Sequence, residues 1–354
     1  MNAAWLDFLR EDNARINSNQ TKHFGDPAAE LQQVQESSVL VDLSYFGLIR
    51  ISGPDAQHFL QGQLTCDISM LDAHTATYGG YCTPKGRLLS TFLIWRNAKS
   101  ADYWLQLPAS LVQPMIKRLG MFVLRAKVTL HDETDNLVRI GIIGKNAATL
   151  PNHCFTETLP KLEPLSYTDT GEGQVICHSE QRIEIITTLA EATRIWKQLR
   201  HEITPAGLHC WQWQEIREGI PTIQPETQEA FVPQMINLDR IGGISFQKGC
   251  YPGQEIVART QYLGKLKRRL YRAHIACSDT VTAGDPLFSQ GMESQAKPQA
   301  SGMIVNAAPS LTGGHDVLAV IQISSAESYT IHWKTPTGPV LTLAPLPYTS
   351  LQLL

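Results

Sequence analysis

The chain has 354 residues, too many for one compact core and suited to two or three domains. Apolar residues make up 43% and charged residues 18%, a globular balance that argues against extended disorder, and a net charge of −3 argues against a surface basic all over. No apolar run reaches the roughly 18 residues of a membrane helix, and the opening MNAAWLDFLREDNARINSN has early acids and no apolar signal core, so a soluble, cytoplasmic protein is expected.

Residues 1–40 read as mostly helical, with a polar break around NSNQTKHFGDP. VLVDLSYFGLIRISG has the β-branched and aromatic content of strands and ends at Ser52-Gly53-Pro54. PDAQHFLQGQL follows as a short amphipathic helix, with Pro54 in its first turn and Ala56, Phe59 and Leu60 on one face. TATYGGYCTPKGRLLSTFLIWR reads as a hairpin turning at Thr83-Pro84-Lys85-Gly86. A strand over 103–107, the helix SLVQPMIKRLGMFV and the strand KVTLHDE complete a compact α+β unit.

After LVRIGIIG a strand-to-helix turn is expected to stop at Leu150-Pro151. The Gly141/Gly144 pair there reads as a tight turn before it reads as a phosphate cradle. GQVICHSEQRIEIITT predicts a second hairpin, LAEATRIWKQLRHE an amphipathic helix, and LHCWQWQEIREGIP a helix ending at Gly219. Residues 221–240 read as a long ordered loop. From 270 onward short strands and glycine turns predict a separate β unit.

Seven cysteines are scattered through the chain without a C-x-x-C pair, so neither a zinc ribbon nor an internal iron–sulfur cluster is suggested. The eleven histidines form no H-x-x-x-H pattern, and no metal ligands are assigned. Cys66, Cys82, Cys154, Cys177, Cys210 and Cys277 read as reduced, mostly small buried side chains. Cys250 differs. In GISFQKGCYPGQEIVART it stands between Gly249 and Gly253, two residues after Lys248 and just before an expected helix GQEIVARTQ with Pro252 at its opening. A helix N-terminus and a nearby cation both favour thiolate over thiol, and the thiolate is the nucleophile. The competing reading is a cysteine that only packs in a turn.

KGCYPGQE, with FVPQMINLDRIGGISF before it and IVARTQYLGKLKRR after it, resembles the signature of the YgfZ-type folate-binding proteins, related in fold to the aminomethyltransferase of glycine cleavage. DLSYFGLIRISGPDAQHFLQGQLTCDIS, YCTPKGRLLSTFLIWR and LAPLPYTS are similar to further blocks of that family, so the resemblance covers nearly the whole chain. It implies an α+β, ring-like, three-domain fold. The discontinuous first domain would comprise residues 1–52 and 141–265, a ferredoxin-like domain would be inserted over 53–140, and a β-barrel would close the chain over 266–354. It also implies tetrahydrofolate as ligand, a role in assembly or repair of iron–sulfur enzymes that modify tRNA, and those enzymes as partners.

Carried over residue by residue, the resemblance makes Cys250 the reactive thiol and Lys248 a cation for the folate or its partner. Phe46 and Trp211 become the aromatic walls of the folate site, lined further by Tyr251, Gln254 and Glu255. Two departures stand out. Arg217 occupies the place of a pterin-binding glutamate in IREGIP, with Glu218 one residue, or about 100° of helix, away. Ser90 and Thr91 stand where the aminomethyltransferase carries two aspartates. Hydroxyls lack the charge of carboxylates, so no glycine-cleavage activity is expected. Two other functions stay open: a folate-dependent one-carbon transferase, and an RNA-binding module using the basic stretch YLGKLKRRLYRAH. The alternative for that stretch is a sheet-edge strand guarded by basic side chains.

Overall fold

The computed structural model describes residues 2–17, 20–262, 264–290 and 299–348. The last two residues of LAPLPYTS, and Leu263 of the basic stretch, lie outside them. The chain divides into two compact units. One is Met1–Leu60, Ile68–Thr77 and Phe92–Gln214; the other is Gln61–Asp67, Tyr78–Thr91 and Glu215–Leu354.

The first unit opens with helix α1 (Ala3–Glu11), capped by the Asn2 side chain accepting from the Trp5 amide. The polar break is a small hairpin, β1 (Arg15–Asn17) and β2 (Gln20–His23), rather than coil. Helix α2 (Pro27–Glu36) starts on the Asp26 cap with proline at its first position. Next come β3 (Ser38–Asp42), β4 (Phe46–Ser52) and α3 (Ala56–Gln61), the last burying Ala56, Phe59 and Leu60 as its pattern predicts. Strands β5 (Ala76–Cys82), β6 (Leu88–Arg96) and β7 (Tyr103–Pro108) lead to helix α4 (Ala109–Val123), with Pro114 inside it, and to β8 (Thr129–Asp132).

These strands form one sheet in the order β5-β6-β7-β4-β8. Apart from β5, which intervenes between α3 and β6 and takes the outer position beside β6, the elements β4-α3-β6-β7-α4-β8, with spatial order β6-β7-β4-β8, make the ferredoxin-like split βαβ arrangement. It takes in Phe46–Ser52, which lies ahead of the boundary expected at 53.

The second sheet comprises β3, β9 (Val138–Gly144), β10 (Tyr167–Asp169), β11 (Gln174–Ser179), β12 (Arg182–Thr187) and β13 (Thr204–Ala206), in the order β10-β11-β12-β9-β3-β13. Only β13 runs parallel to its neighbour; the other pairs are antiparallel. Beyond β9 the chain makes a short 3-10 turn at Leu150–His153 in place of a helix. Helices α5 (Leu189–Leu199) and α6 (Leu208–Glu218) follow β12 and β13. Alternation along the strands sorts this sheet into two faces. Leu40, Val138, Ile140, Ile142, Val175, Cys177, Ile183 and Ile185 join Trp5 and Leu9 of α1 and Ile195, Trp196 and Leu199 of α5 in one core.

In the second unit, residues 221–240 contain two 3-10 turns, Pro225–Thr227 and Pro233–Ile236, and bury Ile223, Thr227, Phe231, Gln234 and Ile236. Helix α7 (Gln254–Tyr262) precedes β14 (Arg268–Ile275), β15 (Pro286–Gln290), β16 (Gln299–Pro309), β17 (His315–Gln322), α8 (Ile323–Ser328), β18 (Thr330–Trp333) and β19 (Leu341–Ala344). The sheet order is β18-β15-β16-β17-β14-β19, and a bridge from His332 to Val340 brings its two ends together into a nearly closed barrel. Strand β14 pairs with β17 along its length and with β19 over Arg272–Ile275, so that end of the basic stretch is an inner strand. Among the described residues no helix is long and apolar enough to cross a membrane.

Candidate functional site

Of the seven cysteines only Cys250 is exposed; Cys277 is half-buried and the other five are buried. Cys250 sits in a loop four residues ahead of α7, which begins at Gln254, so the helix start is further from the sulfur than the sequence suggests. Two features shape this loop. Gly253 has φ +82, and a Cβ there would lie 2.5 Å from the Thr83 carbonyl oxygen and 2.6 Å from the Gly86 Cα. Gly86 itself has φ +68 and faces Ile256 and Gly253. The two glycine turns, TPKG of the first hairpin and PG of the octapeptide, therefore meet backbone to backbone. On the other side of Cys250, a Cβ on Gly249 would meet nothing within 4 Å, which leaves approach to the thiol open.

Lys248 is 8% exposed, and its Nζ donates to the carbonyls of Leu64 and Cys66, each at 2.7 Å. It also lies 5.5 Å from the centroid of the Tyr251 ring, a cation–π distance. Burial lowers its pKa below the usual lysine value, opposed by the Cys66 thiol and Asp67. The cation thus spends its hydrogen bonds on residues 64–66. Cys66, the thiol it acts on, is sealed in, and burial raises that thiol to about 12 despite the lysine.

Tyr251 is buried, its hydroxyl meets no hydrogen-bond partner, and burial raises its pKa. The Gln254 amide reaches the Lys248 carbonyl at 3.5 Å. Glu255 points outward, 81% exposed, and pairs with Arg259 one helical turn on. Ser90 and Thr91 are buried, and their hydroxyls are taken up by backbone. Ser90 donates to the Thr91 carbonyl, and Thr91 Oγ1 accepts from the Ile223 amide at 2.9 Å. Position 217 falls on the last turn of α6, where the helix ends on Gly219 at φ +72.

In the first unit, Phe46 opens β4 buried, edge-on to Tyr45 at 5.0 Å. Trp211 is 0% exposed. A Cβ on Gly141 would lie 2.7 Å from its ring, so this glycine gives the indole its bed on β9, a role the sequence reading did not consider. The Arg182 guanidinium lies 5.0 Å from the centroid of the Trp211 ring, and His178 meets it edge-on at 5.2 Å. Neither aromatic ring presents an open face.

The second face of the six-stranded sheet gathers charge around Trp211. Arg182 and Glu184 alternate with the core residues of β12, and Arg139 and Gly141 alternate with those of β9. Arg139, Arg182 and Glu184 are all at most 1% exposed. Glu184 Oε2 accepts from Gln106 Nε2 at 2.8 Å and lies 2.8 Å from His178 Nε2. Arg139 Nη2 donates to the Thr134 carbonyl, and burial pulls this guanidinium's pKa below its ordinary value despite Glu184. Buried atoms of the group that meet no hydrogen-bond partner include Arg139 Nε and Nη1, Trp211 Nε1, Glu184 Oε1 and Gln106 Oε1. Each such atom costs about 1–3 kcal/mol. The sequence signal was present, since Arg139, Arg182 and Glu184 occupy alternate positions of adjacent strands, but alternation alone reads as a solvated face.

Comparison with known proteins places the architecture. The aminomethyltransferase T of the glycine cleavage system from Bartonella henselae superposes with a TM-score of 0.78, covering 98% of each chain at 13% identity. Residues 2–246 match the GCVT N-terminal domain. This is an aminomethyltransferase-like α+β protein with a C-terminal barrel-like sheet. The tRNA-modifying protein YgfZ of Colwellia psychrerythraea is 37% identical over 241 residues, 68% of this chain and 72% of that one. The YgfZ protein of an Enterobacter strain is 29% identical over 309 residues, 87% and 93% of the two chains. The chain belongs to the YgfZ-type, aminomethyltransferase-like family.

Proposed function

We propose that this protein is a cytoplasmic, tetrahydrofolate-binding factor that supports tRNA modification by maintaining iron–sulfur enzymes, and that Cys250 is the residue that engages the client. The tRNA-modifying relatives support the process. The observation that carries the residue is that one cysteine in seven is exposed, and it lies in the octapeptide loop. One thiolate is too few ligands to hold a cluster, so Cys250 acts transiently on a partner's cluster or on an oxidised intermediate. Lys248, tied to Leu64 and Cys66, positions the loop.

Folate fits the polar group around Trp211. A pterin edge carries adjacent N–H donors and a carbonyl acceptor; Glu184 Oε1 and Gln106 Oε1 would accept from it, and Arg139 and the Trp211 indole would donate. Bound there, the cofactor would supply one-carbon chemistry. Stacking on Trp211 requires Arg182 to move off the ring, as Trp211 is fully covered. Ser90 and Thr91, with hydroxyls committed to backbone, supply no carboxylate for aminomethyl transfer. The test is complementation. Cells lacking the protein and supplied with Cys250→Ala should lose tRNA modifications that depend on iron–sulfur enzymes, whereas Cys277→Ala should restore them. Full restoration by Cys250→Ala would sink the role of the thiol.

The RNA-binding reading loses one of its cations. Arg269 is engaged by Asp239 at 2.7 and 2.9 Å and by the Gln234 carbonyl, which leaves Lys265 and Lys267 as the exposed charges of the stretch.

A further inference from the structure

Glu30 of α2 and His209 and Cys210 of α6 bring one carboxylate, one imidazole and one thiol within 4.8 Å of one another. The cluster lies in the first unit, away from the octapeptide loop in sequence, and Cys210 directly precedes Trp211 on α6. His209 Nε2 is 3.3 Å from Cys210 Sγ, 4.0 Å from Glu30 Oε2 and 3.1 Å from the Pro27 carbonyl oxygen. The other ring nitrogen, Nδ1, faces the Lys22 carbonyl at 3.2 Å. With the Nδ1 proton donated to Lys22, the Nε2 lone pair points at sulfur and two oxygens. Three ligand atoms then face one another within 4.8 Å, with the Pro27 carbonyl oxygen beside the imidazole nitrogen.

We propose that Glu30, His209 and Cys210 form a binding site for a thiophilic divalent cation of the zinc class. Three features suit it. The nitrogen–sulfur spacing of 3.3 Å is close to the edge of a tetrahedron with metal–nitrogen bonds of about 2.0–2.1 Å and metal–sulfur bonds of about 2.3 Å, and the carboxylate oxygen, 4.0 Å from the nitrogen, closes in by a small side-chain rotation. The donor set, one each of sulfur, nitrogen and oxygen, matches the ligands zinc takes. The first neighbours are already oriented as metal ligands require. The Glu30 carboxylate accepts the amides of Phe24 at 2.6 Å and Gly207 at 2.8 Å, and the imidazole is held through its remote nitrogen by a carbonyl. A Cβ at Gly207 would sit 1.9 Å from the Lys22 carbonyl oxygen, so only glycine lets the start of α6 come this close.

Charge also balances. On binding, Cys210 loses its proton to solvent, His209 stays neutral, and metal–sulfur, metal–nitrogen and metal–oxygen bonds form without redox change. Two negative ligands neutralise a divalent ion, which matters because Cys210 is 0% exposed and Glu30 and His209 are 9% and 11% exposed. The fourth position falls to the Pro27 carbonyl or to water. Glu30 also lines a cleft of about 340 Å³ with Asp26, Gln33 and Arg200.

The test is a cobalt(II) titration of the metal-stripped full chain, with zinc competition. One equivalent should give a thiolate-to-cobalt charge-transfer band that zinc abolishes; absence of the band overturns the proposal. Cys210→Ser should remove the band, and both Cys210→Ser and His209→Gln should weaken binding by at least about 10–100-fold. A band that persists in Cys210→Ser assigns the sulfur to another cysteine and equally overturns it. Alkylation mapping of the wild type localises the site even where a variant fails to fold. Labelling is followed across a urea titration, because Cys210 is buried in the folded chain: one equivalent of zinc must move labelling of Cys210 to higher urea and leave the rate at Cys277 in the folded protein unchanged; protection at Cys277 instead rejects the site.

Discussion

At residue scale the contrast between Cys250 and Lys248 decides how the octapeptide works. An exposed thiol beside an open Gly249 should react first and alone. In the folded protein a thiol reagent is expected to label Cys250 quickly and the five buried cysteines only on unfolding, as followed by mass spectrometry. Lys248 acts through packing. Lys248→Met leaves the Leu64 and Cys66 carbonyls without their donor and should cost about 1–3 kcal/mol in urea unfolding. The pH profile of Cys250 labelling separates the two roles: it should hold in Lys248→Met, and a marked move to higher pH would return the lysine to the role of activating cation. The sequence showed that the two residues are two apart. It did not show that the ammonium turns toward residues 64–66, because a loop's side-chain directions are set by whatever strand lies beneath it.

At the scale of elements, glycines govern which segments can touch. The hairpin turn at 83–86 and the octapeptide turn meet through Gly86 and Gly253, each with positive φ. Gly253→Ala introduces both strain and a collision with backbone, and should destabilise by at least about 1 kcal/mol while displacing the Cys250 loop. Its signature is a fall in melting temperature together with altered labelling of Cys250. Gly141→Ala acts likewise in the other unit by lifting Trp211 from β9. Folate titration followed by tryptophan fluorescence should show weaker binding in this variant and in Glu184→Gln. Unchanged affinity in both would remove folate from the Trp211 group. The elements themselves were largely legible: the amphipathic helices at 56–61 and 189–199, both hairpins and the late strands stand where periodicity and turn residues put them. The misreadings concern pairing. A polar stretch at 15–23 became a hairpin by pairing with itself, and the Arg272–Ile275 end of the basic stretch became an inner strand because β19 arrives from distant sequence.

For the whole molecule, the buried thiols set an alkaline limit. Burial raises Cys66, Cys82 and Cys154 to about 12 from an ordinary 9.0. Between pH 9 and 12 the unfolded chain releases these protons and the folded chain keeps them, so the folded state binds more protons and stability falls as pH rises. Urea unfolding at pH 8 and pH 10.5 should show the loss. Cys82→Ala should reduce its slope by about 1.4 kcal/mol per pH unit, whatever its effect on stability at pH 8.

The chain's own order of residues determined the α+β composition, the late β unit, the octapeptide and the family, since periodicity, turn residues and a specific local motif are all short-range properties. Tertiary structure decided the rest. Charged residues on alternate positions of β9 and β12 became a buried polar group under Trp211, and Glu30 came to His209 and Cys210 across nearly half the chain. Burial and long-range contact arise only when strands pair and helices cover them, and no local pattern records which partner will arrive.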